Sequence, residues 1–351
     1  MLSGRHSRTP AAGAASRRAL AVVAMLAGLA LVVAPLVIGD RYLLRIFTLV
    51  GINIVMVTGL SLLFGFAGQI SLGHAAFFGL GAYSTGFLAR LGVPWVASLP
   101  AGVAVAALGG LLLALPSLRL KGHYLAMATL GFGEIVLFFF TEAEPITGGS
   151  DGLRDIPPAA LGGLLFDTPV LKYALVWAIV LVVLALAANI VRLRPGRALR
   201  ALHGSELGAQ ACGIDTVRVK TQVFVLSAGL AGLAGVLYAH YIGFVSPSTF
   251  GLKLSLVLVT MVALGGMGSL SGAVTGTVLL TLLPYADAII PGLSRGAIAF
   301  LQDWESDIHG LVLILVMLFM PRGLAGLGRL AARRVRTRRG SSVTTAEGDA
   351  A

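Results

Sequence analysis

The amino-acid sequence predicts an all-α, polytopic transmembrane helical bundle of about 8–10 spans. Of its 351 residues, 57% are hydrophobic and only 12% are charged, whereas about 25% of a soluble domain is charged. Apolar windows long enough to cross a hydrocarbon core of about 30 Å recur along the chain. The 46 glycines, in a chain this apolar, favour close helix packing in lipid over disorder.

The apolar windows define the elements in chain order. The first window follows a small, polar and basic segment, and it ends near Asp40 without a small-x-small cleavage site, which favours a spanning helix over a cleaved signal peptide. We therefore expect a disordered cytoplasmic tail at 1–19, a transmembrane domain at 20–327 and a second basic, disordered cytoplasmic tail at 328–351. The windows lie near residues 20–38, 43–66, 72–90, 94–115, 123–140, 170–191, 221–241, 253–268, 270–290 and 306–320.

The distribution of charge predicts the orientation. The net charge is +11, but the basic residues cluster in tails and short loops beside apolar windows, which indicates a positive-inside bias rather than nucleic-acid binding. Loop 192–220 is basic, whereas loop 141–169 contains five acidic residues and one arginine, Arg154. This alternation places both termini and loop 192–220 in the cytoplasm and loop 141–169 outside the cell. In this topology Arg41 and Arg45 lie on the external side of the membrane, which disagrees with the positive-inside bias.

A glycine-rich stretch at 65–79 carries polar groups between two apolar windows. Gln69, Ser71 and His74 would be costly in contact with lipid. On a backbone loosened by glycine, they indicate either a packed interface or a path for a polar solute. His74 taken alone is more typical of a packing histidine than of a ligand.

Glu134 lies inside the fifth apolar window. An acidic residue within a membrane span is a candidate for a functional group. The alternative is a structural hydrogen-bonding group in the interior of the bundle, so both interpretations stay open.

Glycines at four-residue spacing, Gly268, Gly272 and Gly276, predict a smooth groove on one helix face for helix packing. The stretch 266–272 is also similar to 68–73, which is a weak indication of an internal repeat.

The basic loop 192–220 contains signals for two short helices. Gly204 is typical of a helix end, Ser205 of the N-cap of the next helix and Gly213 of its end. Leu199 and Leu202, with Ala198, would then share one apolar side. That side would contact either a partner protein or lipid headgroups.

The sequence lacks the motifs that are typical of nucleotide-binding, zinc-binding and hydrolytic proteins. It contains no phosphate-binding loop, no zinc-binding His-Glu-x-x-His and no Gly-x-Ser-x-Gly nucleophile elbow. One cysteine, Cys212, excludes an internal disulfide and supplies no metal-ligand cluster. We therefore expect no catalysis, no bound metal and no cofactor.

Seven motifs in order resemble the branched-chain amino acid permeases of ABC importers, of the LivM-type membrane subunit. Ser61 stands where that family often has asparagine, and His203 stands where it often has a charged residue. The matching motifs lie at 65–83, 122–136, 147–153, 196–214, 228–239, 264–270 and 316–323.

The resemblance implies a permease subunit in the bacterial cytoplasmic membrane. It would pair with a second, LivH-like permease chain, two cytosolic ATPase subunits and an external solute-binding protein received by the outer faces. The segment 196–214 would dock into the ATPase, with Arg197, Arg200, Glu206 and Gly213 in it. Ser61, Gln69, Ser71, His74 and Glu134 are then the candidates for the solute pathway.

Other functions remain open at this stage. Urea and short-chain amide permeases share much of the same pattern. A self-sufficient channel or ion-coupled carrier would need no docking loop, and we would expect more charge within its spans than Glu134 supplies. A membrane-embedded enzyme would need a nucleophile or metal constellation that the sequence does not show.

Overall fold

The computed structural model describes residues 39–117, 120, 122–161, 163–288, 304–319 and 323–324. The expected tails and the first apolar window, 20–38, lie outside the described residues. The α-helices of the described part are α1 Arg41–Leu60, α2 His74–Arg90, α3 Trp95–Ser117, α4 His123–Glu142, α5 Glu144–Thr147, α6 Pro169–Arg192, α7 Arg194–Gly204, α8 Glu206–Ala211, α9 Thr216–Ile242, α10 Leu252–Gly265, α11 Leu270–Leu282 and α12 Glu305–Phe319.

The predicted helical membrane bundle is confirmed. Six helical stretches of the described part are long and apolar enough to cross a membrane, and Leu270–Tyr285 is a shorter apolar helix. The strands found there are β1 Ala160–Leu161 and β2 Leu164–Leu165, which pair as a small antiparallel hairpin. The total number of spans and the side on which the termini lie stay predictions.

Helix α9 lies at the centre of the bundle and packs against α1, α2 and α3. Glycines allow this close approach. A Cβ at Gly81 of α2 would collide with the backbone of Gly232 in α9, and a Cβ at Gly102 of α3 would stand 3.1 Å from the carbonyl oxygen of Gly81. Three helices therefore meet backbone to backbone at Gly81, Gly102 and Gly232, the arrangement that small residues permit in lipid.

Local sequence signals set the helix ends. The carboxylate of Asp40 accepts a hydrogen bond from the amide of Tyr42 at 2.9 Å at the start of α1. The carboxylate of Asp215 caps α9 in the same way, accepting from the amide of Arg218 at 3.0 Å. Helix α9 ends at Ile242, and the next residue, Gly243, has a φ of +77°, the left-handed conformation that favours glycine.

The loop that follows α4 is attached to the C-terminal end of α9. Leu153 and Val245 form an antiparallel bridge, with both amide–carbonyl hydrogen bonds at 2.9 Å. The amide of Ile156 donates to the carbonyl of Gly243 at 3.1 Å, and Nδ1 of His240 lies 2.7 Å from the carbonyl oxygen of Pro157. This part of loop 141–169 is therefore ordered against α9.

The crossing of α2 and α9 generates a stability prediction. In Gly235→Ala the new methyl group would collide with the carbonyl oxygen of Phe78 in α2, so we expect a loss of about 1–3 kcal/mol, the usual cost of overpacking. The change is measured by heating the protein in detergent and using size-exclusion chromatography to determine how much folded protein remains at each temperature.

The matched control is Gly229→Ala on the same helix. Its new methyl group would stand 3.7 Å from the side chains of Ala107 and Val103, an ordinary contact. Both substitutions gain the same helix propensity, so equal unfolding temperatures would contradict the predicted collision.

Candidate functional site

Helix α1 changes its winding and then stops. It continues as a π-helix over Ser61–Phe66, and the amide of Gln69 bonds back to the carbonyl of Leu63 at 3.0 Å. Gly68 has a φ of +70°, and α2 does not begin until His74. Residues 67–73, which we call the joint, are therefore a non-helical connection next to a π-turn, a combination frequent at functional positions.

Four of the predicted pathway residues are buried at or beside the joint. Ser61, Ser71 and His74 are 0% exposed and Gln69 is 7% exposed. The hydroxyl groups of Ser61 and Ser71 make no hydrogen bond to the described residues. The structure therefore packs these four side chains inside the chain rather than along an open surface.

Two hydrogen bonds fix the joint and the start of α2 to neighbouring helices. The amide of Leu72 donates to the hydroxyl of Thr129 in α4 at 2.9 Å. The amide of Ala75 donates to the hydroxyl of Ser255 in α10 at 3.0 Å. Because amides at the start of α2 have no partner within their own helix, these hydroxyls satisfy them and set the position of the joint.

The glycines of this region allow close contact with three other elements. A Cβ at Gly68 would stand 2.8 Å from Nδ1 of His203 in α7, and one at Gly73 would collide with the carbonyl of Thr129 in α4. A Cβ at Gly65 would stand 3.2 Å from the amide nitrogen of Gly268. The region around the joint thus touches α4, α7 and the turn between α10 and α11.

The structure corrects the predicted glycine groove. Gly268 has a φ of +73° and lies in a turn, because α11 begins at Leu270, where the hydroxyl of Ser269 caps it. The prediction that Gly268, Gly272 and Gly276 share one helix face was therefore wrong at Gly268. Gly272 and Gly276 do lie on α11, where both contact the backbone of α10.

Glu134 lies apart from the four buried residues, on an exposed side of α4. It occupies the middle of a helix that spans His123–Glu142, and it makes no ion pair or hydrogen bond with the described residues. An Asp at the centre of a spanning helix costs about 2.5–3.5 kcal/mol. A carboxyl group at this position therefore calls for a partner other than lipid.

The basic loop has the two helices that the sequence predicts, α7 and α8. Gly204 ends α7, and the hydroxyl of Ser205 accepts from the amide of Gly208 at 3.1 Å at the start of α8. Leu199 and Leu202 are 4% and 6% exposed. The expectation that they would contact a partner protein or lipid was wrong, because they pack into this chain's own core.

The charged residues of α7 and α8 have different environments. Arg197 and Arg200 are exposed, and Nη1 of Arg200 donates to the carbonyl of Val191 at 3.1 Å. Glu206 forms an ion pair with Lys220 of α9 at 2.6 Å, with the two side chains 21% and 10% exposed. Gly213, with a φ of +77°, makes the turn into α9. Glu206 thus has a structural partner within the chain.

Sequence reasoning missed three features of this region. Leu207 of α8 is 73% exposed and points out of the basic loop. His203 contacts the joint at Gly68. Gly131, one turn before Glu134, has open space where a side chain would be.

Comparison with known proteins identifies the family. The family model of the branched-chain amino acid transport system permease component matches residues 42–320. The high-affinity branched-chain amino acid transport system permease protein LivM of Escherichia coli K12 is 33% identical over 314 residues, covering 83% of this chain and 71% of LivM.

Two other permease proteins are similar to shorter parts of this chain. The LivH permease protein of the same E. coli system is 34% identical over 154 residues, covering 44% of this chain and 47% of LivH. The autoinducer 2 import system permease protein LsrC of Salmonella typhi is 28% identical over 244 residues, covering 68% of this chain and 65% of LsrC. No solved structure matches the chain.

The family match begins in α1 and extends through the joint, α4, α7 and α8 to α12. The resemblance seen in the sequence motifs is therefore confirmed, and the helical spans agree with a multi-pass membrane subunit. This chain belongs to the family of branched-chain amino acid transport system permease components.

Proposed function

We propose that this chain is one of two permease subunits of an ATP-driven importer that carries leucine, isoleucine and valine across the bacterial cytoplasmic membrane. The observation that carries the proposal is the identity with LivM over 83% of this chain. LivM and LivH are both named as permeases of one transport system, which supports a second permease chain as the partner here.

ATP hydrolysis takes place in two separate cytosolic subunits that dock against α7 and α8. The exposed surface of this segment supports that role, because it presents Arg197, Arg200 and Leu207 rather than the buried Leu199 and Leu202. An apolar residue among basic ones is typical of the centre and rim of a protein interface. The part of loop 141–169 that is bonded to α9, around Leu153–Pro157, lies at the opposite end of α9 from α8, and this loop receives an external solute-binding protein.

A continuous set of contacts leads from α7 to the centre of α4. His203 of α7 touches Gly68 at one end of the joint, and Gly73 at its other end touches Thr129 and Gly133 of α4. Glu134 is the next residue after Gly133 in α4. A displacement of α7 by the ATPase would therefore reach α4 through packed backbone, the kind of physical connection that coupling requires. Ser61, Gln69, Ser71 and His74 serve in the packing of this connection.

Uptake of labelled leucine tests the proposed function. Deletion of the gene should abolish uptake, and excess isoleucine or valine, but not urea, should inhibit it in the wild type, because the three amino acids share an apolar branched side chain. Loss of urea uptake with leucine uptake intact would replace the branched-chain proposal with the amide alternative.

His203→Ala tests the contact between α7 and the joint. Removal of the imidazole leaves a gap beside Gly68, so we expect less leucine transported per ATP hydrolysed at an unchanged protein level. Transport and ATP hydrolysis in proteoliposomes of the whole complex give this ratio. The control is His123→Ala, an exposed histidine at the start of α4. An unchanged ratio in His203→Ala would exclude the contact from coupling.

A charge exchange tests the role of Glu206. Glu206→Lys places two cations side by side at Lys220, so we expect uptake to fall severalfold. If the pair is structural, the double exchange Glu206→Lys with Lys220→Glu should restore uptake, because it restores opposite charges. Retention of the ATPase subunits after purification is measured in parallel. If the double exchange still fails to bind the ATPase, then Glu206 itself contacts the ATPase.

A further inference from the structure

One face of α4 is not covered by the described part of this chain. Residues of the opposite side, including Leu125, Thr129 and Phe140, are buried in the bundle. The uncovered face is made of residues spaced three and four apart, so that they share one side of the helix. Its members are Tyr124, Met127, Gly131, Glu134, Ile135 and Phe138, and we call them the α4 stripe.

The α4 stripe differs from the lipid-facing surface elsewhere. Leu181, Val182 and Leu186 of α6 are also exposed, but they are uniformly apolar, as expected for contact with lipid tails. The α4 stripe has a carboxyl group at its centre that has no partner within the described residues. Acidic residues at such a position face a partner protein or a water-filled path.

The surroundings of Glu134 define what the stripe can bind. Gly131, one turn earlier, leaves space next to the carboxyl group. Ile135 and Phe138 are 69% and 67% exposed, and Met127 is 69% exposed. A hydrogen-bond acceptor that lies beside free space and between large apolar side chains matches a small molecule with a cationic group and an apolar side chain.

We propose that the α4 stripe is a solute-recognition surface, on which Glu134 accepts the α-ammonium group of a passing amino acid while Ile135 and Phe138 contact its apolar side chain. The proposal rests on the proposed function and adds to it the residues that recognise the solute. The charge-assisted hydrogen bond is the interaction that distinguishes an amino acid from an uncharged solute of similar size.

The first test compares leucine uptake by cells that carry single variants of the full importer. Glu134→Gln keeps the size of the side chain and removes its charge, so we expect the maximal rate to fall about tenfold or more, the usual effect of losing a charge-assisted bond. Glu134→Asp keeps the charge and should retain part of the rate. The matched control is Asp307→Asn, the same change from acid to amide at an exposed position near the start of α12, which should transport normally.

The second test measures access of water to the stripe. In a Cys212→Ser background, Glu134→Cys and Phe138→Cys should react in membranes with a charged, membrane-impermeant thiol reagent, and excess leucine with ATP should slow the reaction. Val182→Cys, on the apolar face of α6, is the control and should not react. This readout does not depend on whether transport is retained.

The outcomes separate this inference from the proposed function. Failure of the wild type to import leucine overturns both. If the wild type imports leucine, normal transport by Glu134→Gln overturns the recognition role of Glu134 alone. If Glu134→Cys is as unreactive as Val182→Cys, the stripe is closed to water and the inference is wrong, whereas reaction with protection by leucine supports it.

Discussion

The close contact of helix backbones at glycine is the constraint on which this structure depends. Lipid tails are as apolar as leucine, so the hydrophobic effect does not drive helices together within a membrane, and association depends on packing. Gly81, Gly102 and Gly232 supply that packing by allowing α2, α3 and α9 to meet without side chains between them. These three helices form a block around which the other elements are arranged.

Helix α4 is attached to this block much less extensively. In α9, 78% of the most apolar stretch is buried, compared with 28% in α4. The attachments of α4 include the joint at Gly73, the hydrogen bond at Thr129 and the stack of Phe140 on Tyr83, with ring centres 4.2 Å apart. Because few contacts must change, α4 is the helix whose position a displacement of the joint alters most easily.

The sequence predicted the positions of the helices but not their burial. Lengths of apolar windows and local caps depend on short-range chemistry, so the helices from 41 to 282 and the boundaries at Gly204, Ser205 and Gly213 follow from the sequence. In a membrane, a helix is apolar both toward lipid and toward the core. Periodicity therefore does not show which side of a spanning helix is buried. In α7, which is not a span, it did place Leu199 and Leu202 on one apolar side, but only the tertiary packing shows that this side faces the chain's own core.

The same limit applies to the candidate site. Ser71, His74 and Glu134 look alike in sequence as polar residues within apolar windows, yet the first two are buried and the third is exposed. Which of them faces outward depends on how α2 and α4 pack, and that is a tertiary property. Gly268 was assigned to a helix because four-residue spacing does not reveal a turn; its positive φ does.

Helix α9 connects the two ends of the molecule without an interruption. The ion pair of Lys220 with Glu206 ties one end to α8, and the bridge between Leu153 and Val245 ties the loop after α4 just beyond the other end. A helix of 27 residues is about 40 Å long and stiff along its axis. An axial shift of α8 would therefore be carried along α9 to the loop that contains Leu153, so the two ends of the molecule are mechanically linked without any change in α4.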